Sequence, residues 1–266
     1  MFDSYNRRIN YLRISVTDRC NLRCTYCMPE EGVKLLNHKE ILTFEEIYEI
    51  AKTAVDFGID KIRLTGGEPL VRKGILLLVK QIASIKGLKD FGMTTNGIFL
   101  ESYAKELKEA GLHRINISLD TLNAEKFKSI TRGGDIEAVF KGIKAAKQVG
   151  LSPIKINCVV QNSSSEQDAK EVKAFCEENG LQIRFIKLMN LKEGTFSIVE
   201  HGEGGNCASC NRLRLTANGM IKPCLFSELE YNIRELGIDK TFELAVGNKP
   251  ACGTTNRTNQ FSNIGG

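Results

Sequence analysis

The sequence predicts an α/β protein: a partial, TIM-like (β/α)6 barrel with a C-terminal extension that carries a second cysteine cluster. Over residues 1–190, short apolar runs alternate with amphipathic helical patterns. This alternation is typical of parallel strands joined by right-handed crossovers. Six such units are too few to close an eight-stranded barrel, so we expect an open barrel or, as the alternative, a doubly wound sheet. Near residue 190 the alternation gives way to a Gly-rich stretch.

The elements of the barrel can be placed one by one. The first helix, within 42–58, has Thr43 and Glu46 as a capping box and Gly58 as its C-terminal stop. In either architecture we expect the functional site at the carboxyl ends of the strands. The predicted strands are 11–16, 61–65, 91–95, 114–119, 153–160 and 182–188. The other predicted helices are 74–86, 100–110, 135–149 and 165–179.

The second predicted region, residues 191–266, follows a polar, Gly-rich linker at 190–206. Two apolar runs flank Asn218-Gly219, a dipeptide that strongly favours a hairpin turn. The hairpin would return Cys224 towards Cys207 and Cys210. The polar end of the chain, 254–266, has the composition of a disordered tail.

Composition excludes several classes of protein. The chain has 266 residues, of which 42% are hydrophobic and 26% charged, as in ordinary globular proteins. It has no membrane-length apolar run and no signal-peptide core, so we expect a cytoplasmic protein without a membrane partner. A net charge of +5 is too small to indicate nucleic acid but permits a basic pocket for an anion. The scattered histidines His38, His113 and His201 are interpreted as structural or surface residues.

Nine cysteines are many for a cytoplasmic chain, where disulfides rarely persist. Cys158 and Cys176 lie in an apolar run and a helical run, and we interpret them as buried thiols. The others cluster at short spacing, which indicates metal or redox chemistry. The two clusters are Cys20, Cys24 and Cys27, called the first triad, and Cys207, Cys210 and Cys224, called the second triad.

The first triad has the spacing C-x3-C-x2-C and follows the first strand. Three thiolates can hold three irons of a 4Fe–4S cluster. The fourth iron then has a free coordination position. A free position on a zinc ion likewise marks a catalytic rather than a structural site. Structural zinc with a distant fourth ligand is the alternative, but this spacing is unusual for zinc.

The second triad, C-x2-C-x13-C, also lacks a fourth cysteine in the hairpin. A four-cysteine zinc ribbon completed by Cys252 is the alternative, and spacing alone does not decide. Arg212 and Arg214 lie two residues apart, so on a strand both face one side. Paired guanidiniums suit phosphate or carboxylate recognition, whereas the alternative is a solvated strand face.

Together these motifs resemble the GTP 3′,8-cyclase family of radical S-adenosylmethionine (SAM) enzymes, which opens molybdenum cofactor biosynthesis. The resemblance covers most of the barrel and resumes from Cys207 to Gly266. The stretches that carry it are YLRISVTDRCNLRCTYCMP, KIRLTGGEPLVRKG, SLDTL, CNRLRLTANG with CLF, and the terminal IGG.

The resemblance implies that the first triad holds a 4Fe–4S cluster whose open iron binds and cleaves SAM. It implies no catalytic residue beyond the two clusters. For Thr95, Asn96 and Ser118 the alternative is a role as ordinary loop caps. The implied SAM contacts are Tyr26, Gly67, Glu68, Thr95, Asn96, Ser118 and Met189.

For the second triad the resemblance implies another 4Fe–4S cluster, whose open iron binds the guanine of GTP. A triphosphate carries about four negative charges and needs several cations, here on strands that converge on one mouth. The Gly265-Gly266 tail is expected to reach into the site. The implied GTP contacts are Arg13, Lys61, Arg63, Lys155, Arg184, Arg212 and Arg214.

The resemblance also implies partners: a reduced flavodoxin or ferredoxin as electron donor, a downstream cyclic pyranopterin monophosphate synthase, and a homodimer. The chain departs from the family at 190–206, where members usually carry a longer insert. We therefore expect a less covered barrel mouth. Alternatives are a radical SAM enzyme acting on another nucleotide or a peptide, and a non-enzymatic iron–sulfur or zinc protein.

Overall fold

The six predicted strands form one parallel sheet in the computed structural model, which describes residues 1–258 and 261–264. Their order runs β6-β5-β4-β3-β2-β1 without reversal. A doubly wound sheet would reverse its order, so this order confirms the barrel wall and excludes the alternative. The strands are β1 Tyr11–Ser15, β2 Lys61–Thr65, β3 Asp90–Thr95, β4 Arg114–Ser118, β5 Ile154–Val160 and β6 Gln182–Lys187.

Helices connect the strands, as predicted, and the first has the expected caps. Thr43 accepts from the backbone N–H of Glu46, and the Glu46 carboxylate accepts from that of Thr43. Two elements were not predicted, a 3₁₀ helix at Pro69–Val71 and α4, which buries only Phe127 and Thr131 and so has a weak pattern. The helices are α1 Phe44–Asp56, α2 Ile75–Ala83, α3 Leu100–Glu109, α4 Ala124–Thr131, α5 Ile136–Gln148 and α6 Gln167–Asn179.

Alternation along each strand separates the core from the barrel interior. In β1, Leu12 and Ile14 are fully buried in the apolar core that includes the inner faces of the helices. Tyr11 and Arg13 point the other way and line a cavity. None of the helices in the described ranges 1–258 and 261–264 is long and apolar enough to cross a membrane.

The C-terminal region extends the same sheet. Its first strand, β7 Arg212–Leu215, pairs in parallel with β1, and β8 Met220–Lys222 pairs antiparallel with β7. The turn between them has Gly219 at φ +87°, as the hairpin prediction requires. The elements that follow were not predicted, because each is short or has no strong pattern. They are β9 Tyr231–Asn232, α7 Ile233–Leu236, α8 Ile238–Gly247 and α9 Phe261–Ile264.

The expectation of a disordered tail is wrong for residues 254–258 and 261–264. Asn256 is fully buried, its backbone N–H donates to Leu191 O at 2.8 Å, and its Nδ2 donates to Leu225 O at 3.0 Å. Ile264 is buried against Leu191 and Phe226. One buried amide and one apolar side chain anchor a segment whose average composition is polar. The predicted roles of Gly265 and Gly266 lie outside the described residues.

Candidate active site

A cavity of about 340 Å³ lies inside the barrel and is lined by all six cysteines of the two triads. Every other described residue with a predicted site role also lines it, except Lys155. The fold therefore brings together residues as far apart in sequence as Arg13 and Cys224. Their individual roles remain predictions.

The two glycines of the GGE sequence hold the loop that leads into the first triad. The backbone N–H of Gly67 donates to Thr17 O at 2.7 Å. A Cβ on Gly67 would lie 2.3 Å from Arg19 O, and one on Gly66 would lie 2.6 Å from Thr17 O. The structure uses the missing side chains of both glycines to pack this loop, and Gly67 also lines the cavity.

Glu68 ties the ends of β2 and β3 together. Its buried carboxylate accepts from Thr95 Oγ1 at 2.7 Å, from the backbone N–H of Asn96 at 2.7 Å and from that of Leu70 at 3.0 Å. Burial raises the pKa of Glu68 to about 7, although these three donors act to lower it. Asn96 in turn reaches the loop of the first triad through Asn21, at 2.8 Å.

Asp120 is a site residue that the sequence analysis missed. Its carboxylate accepts from the Tyr26 hydroxyl at 2.8 Å and from the backbone N–H of Val159 at 2.8 Å. Burial raises the pKa of Asp120 to about 6. The bond fixes Tyr26, which lies between two cysteines of the first triad. The available signal was an acidic residue directly after a strand, within the SLDTL stretch.

The first triad fits a metal cluster by the chemistry of its donors. Burial, followed by the neighbouring thiol Cys27, raises the pKa of Cys24 to about 12. Burial also raises the pKa of Cys27 to about 11, and that of Cys20 rises for the same reason, with Glu68 adding to it. Three thiolates in such a place need the positive charge of a bound metal centre.

Within residues 1–258 and 261–264, no three His, Cys, Asp or Glu side chains are arranged so that they could share one metal ion. Cys252, the proposed fourth zinc ligand, is exposed, and its Sγ lies 3.2 Å from Cys207 Sγ.

The second triad lies beside a buried lysine that the sequence analysis also missed. Lys249 Nζ donates to Arg212 O at 2.7 Å and to Pro223 O at 2.5 Å. Burial acts to raise the pKa of Cys210, but Lys249 and Arg212 lower it overall. Lys249 and Arg212 thus favour the thiolate of Cys210, whereas burial raises the pKa of Cys224.

Strand register places five of the seven predicted GTP contacts in two rows. Arg13 on β1 lies between Arg63 on β2 and Arg214 on β7. One step along, Tyr11 lies between Lys61 and Arg212 in the same way. The Tyr11 ring centroid is 4.9 Å from Lys61 Nζ, 5.6 Å from Arg63 Cζ and 5.5 Å from Arg212 Cζ. The Tyr11 ring lies between these cations and makes cation–π contacts with them. No sequence signal had identified Tyr11.

The cations exceed the carboxylates that face them. Asp90 accepts from Arg114 Nη2 at 2.8 Å and contacts Lys61 Nζ at 3.4 Å. Burial and then Arg184 lower the pKa of Lys155 to about 8. Within the described residues, the buried Nε of Arg63 has no hydrogen-bond partner. Crowded cations and an unpartnered donor indicate a site suited to an anionic ligand.

The short segment 190–206 covers part of the mouth. Ser197, Val199 and the run 202–206 all line the cavity. A Cβ on Gly205 would lie 1.9 Å from Ser197 O, so the segment folds tightly back on itself. An isolated antiparallel bridge also joins Glu200 to Phe185 on β6.

Comparison with known proteins gives two results. The family model described as the Radical SAM superfamily matches residues 14–176. Curated proteins named GTP 3′,8-cyclase are similar over most of the chain. The one from Peptoclostridium acidaminophilum is 45% identical, covering 88% of this chain and 85% of its own length. The one from Thermodesulfovibrio yellowstonii is 43% identical, covering 89% and 88%. The first alignment spans 277 positions, so that relative carries residues that this 266-residue chain lacks.

Solved structures agree on the fold. Streptococcus suis SuiB bound to S-adenosylmethionine aligns with a TM-score of 0.68 at 16% identity, over 92% of this chain. The chain spans 65% of the length of SuiB. Native anSMEcpe with bound AdoMet aligns with a TM-score of 0.63 at 18% identity, over 90% of this chain and 81% of that one. At these identities the likeness concerns the fold alone.

Proposed function

Since the chain belongs to the radical SAM superfamily and, within it, to the GTP 3′,8-cyclase family, we infer that it converts GTP to 3′,8-cyclo-7,8-dihydro-GTP. This reaction is the first step of molybdenum cofactor biosynthesis. The observation that carries the inference is one cavity lined by two cysteine triads and by a surplus of cations.

We propose that the first triad holds a 4Fe–4S cluster with SAM at its open iron. Held by Cys20, Cys24 and Cys27, such a cluster would supply the electron for reductive cleavage of SAM, and the resulting radical would take hydrogen from C3′ of GTP. Gly66 and Gly67 hold the loop of the triad in place, and Asp120 holds Tyr26. The proposed SAM contacts are Tyr26, Gly67, Glu68, Thr95, Asn96, Ser118 and Met189, all on the cavity wall.

We propose that GTP lies between the triads, with its triphosphate among the cations and its guanine at a second 4Fe–4S cluster on Cys207, Cys210 and Cys224. Guanidiniums bind phosphate in a bidentate manner, which fixes the ligand as well as attracting it. The proposed GTP contacts are Arg13, Lys61, Arg63, Lys155, Arg184, Arg212 and Arg214.

The remaining assignments are proposals that follow from the family. We propose residues 1–190 as the radical SAM partial barrel and 191–266 as an auxiliary iron–sulfur region with a Gly265-Gly266 tail near the substrate. We further propose a cytoplasmic homodimer. It would take electrons from a reduced flavodoxin or ferredoxin and pass its product to cyclic pyranopterin monophosphate synthase.

The test is an anaerobic assay of protein whose iron–sulfur clusters have been reconstituted, called the loaded protein. It is mixed with dithionite, SAM and GTP, and the products are analysed by mass spectrometry. We expect 5′-deoxyadenosine together with a cyclised isomer of GTP. Arg212→Met should leave 5′-deoxyadenosine formation and reduce cyclised product. Arg234→Met is the control, because Arg234 pairs with Glu46 outside the cavity. Cyclisation of another nucleotide in place of GTP, or no 5′-deoxyadenosine at all, would contradict the proposal.

A further inference from the structure

Three buried cations near the second triad differ in how their charge is compensated. Arg7 Nε lies 2.6 Å from an Asp3 carboxylate oxygen, and Lys222 Nζ lies 3.0 Å from one of Glu230. Lys249 is only 3% exposed. Over the ranges 1–258 and 261–264, no carboxylate lies within ion-pair distance of its ammonium group.

The two carbonyls that accept from Lys249 hold the ammonium in place but do not neutralise it. An uncompensated charge away from water is strongly unfavourable. The groups beside it that can carry a negative charge are the thiols of Cys210 and Cys224. The buried ammonium of Lys249 therefore lies beside the second triad with no carboxylate to neutralise it.

The first triad has the opposite surroundings. The Glu68 carboxylate acts on Cys20, and that of Asp120 acts on Cys24. The two triads share one cavity, yet one faces carboxyl groups and the other a fixed ammonium. The difference in charge is a property of these side chains and needs no assumption about a ligand.

We propose that Lys249 is a positioning residue that sets the charge at the second triad and makes the cluster held there easier to reduce. The inference rests on the proposed second cluster. Reduction by dithionite adds one electron to that cluster, while no covalent bond in the protein forms or breaks. Because the added charge is negative, a fixed positive charge nearby favours the reduced form.

The test isolates the second cluster. Protein in which Cys20, Cys24 and Cys27 are all alanine keeps only the second triad, and its midpoint potential is measured by electron paramagnetic resonance during a redox titration. Lys249→Met removes charge and donor, Lys249→Gln removes charge but keeps a donor, and Lys249→Arg keeps the charge. We expect Met and Gln to shift the potential to more negative values and Arg to leave it near that of the parent.

Thr241→Val is the matched control for loosened packing. Thr241 is fully buried in α8, the helix that ends shortly before Lys249, and its hydroxyl donates to Gly237 O at 2.6 Å. The substitution removes a hydrogen bond and no charge, so the potential should not move beyond experimental error.

Several outcomes would overturn the inference. The potential of the Lys249→Gln variant could equal that of the parent, which would make Lys249 a structural link between two carbonyls only. If the Met and Gln variants take up no iron, the Lys249→Arg variant decides. Iron uptake by the Arg variant supports a role for the positive charge at this position, and failure of the Arg variant to take up iron contradicts that role. A parent with Lys249 intact that takes up no iron would instead overturn the proposed second cluster, and this inference with it.

Discussion

At about pH 8, GTP binding should take up roughly one proton, because Lys155 and Tyr11, which lie among the predicted GTP contacts, are each about half protonated at that pH. Burial and then Arg184 lower the pKa of Lys155 to about 8. Burial acts to raise the pKa of Tyr11, but Arg63 and the other surrounding cations lower it to about 8. Neither group would titrate near this pH in water.

The magnitude follows from these two pKa values. A group with a pKa of about 8 is about half protonated at about pH 8. A bound triphosphate adds about four negative charges, which raise both pKa values. Lys155 and Tyr11 then each gain about half a proton, or roughly one together. The ligand adds none, because its last ionisation lies at about pH 6. At about pH 7 the same reasoning gives an uptake of only about 0.2 proton.

The assay is anaerobic calorimetry on the loaded protein in two buffers that differ in ionisation enthalpy. Lys155→Met and Tyr11→Phe should each halve the uptake at about pH 8. Lys240→Met is the control, because Lys240 is exposed and pairs with Glu243. A binding heat that does not depend on buffer, or a release of protons, would refute the placement of the triphosphate among these cations.

Three further variants test other contacts. Gly67→Ala should displace the loop before the first triad, because a Cβ there would lie 2.3 Å from a carbonyl oxygen. The variant should therefore contain one cluster's worth of iron less. Gly247→Ala is the control, because a Cβ at Gly247 meets open space and iron content should not change. Asp120→Asn should raise the SAM KM for 5′-deoxyadenosine formation about fivefold by weakening its bond to Tyr26, worth about 1 kcal/mol; an unchanged KM would contradict that role. Cys252→Ser should retain both clusters by iron analysis, and loss of iron would identify Cys252 as a ligand.

The barrel could be predicted because its signals are local. Each strand is a short run in which apolar residues recur at alternate positions, and caps such as Thr43 with Glu46 lie within a few residues of the helix they begin. Strand bounds differ from the prediction by one residue at most. Helices α4 and α7 escaped because short segments that bury few side chains leave no periodic pattern. Helix α8 buries Phe242, Ala245 and Val246 on one face and was not recognised.

The site was predictable where its residues form compact motifs, and not where a role depends on distant partners. Tyr11 matters because its ring meets Arg212, 201 positions away, and Asp120 because it meets Tyr26. Lys249 matters because the hairpin returns Pro223 and the second triad to its side. None of these three contacts has a signal in local spacing.

The most direct test of the account uses GTP that carries deuterium at C3′. The loaded protein is incubated anaerobically with this substrate, SAM and dithionite, and both products are analysed by mass spectrometry. The account predicts that the deuterium appears in 5′-deoxyadenosine and is absent from the cyclised nucleotide. Unlabelled 5′-deoxyadenosine, formed together with intact labelled GTP, would contradict the claim that this cavity brings C3′ of GTP to the SAM-derived radical.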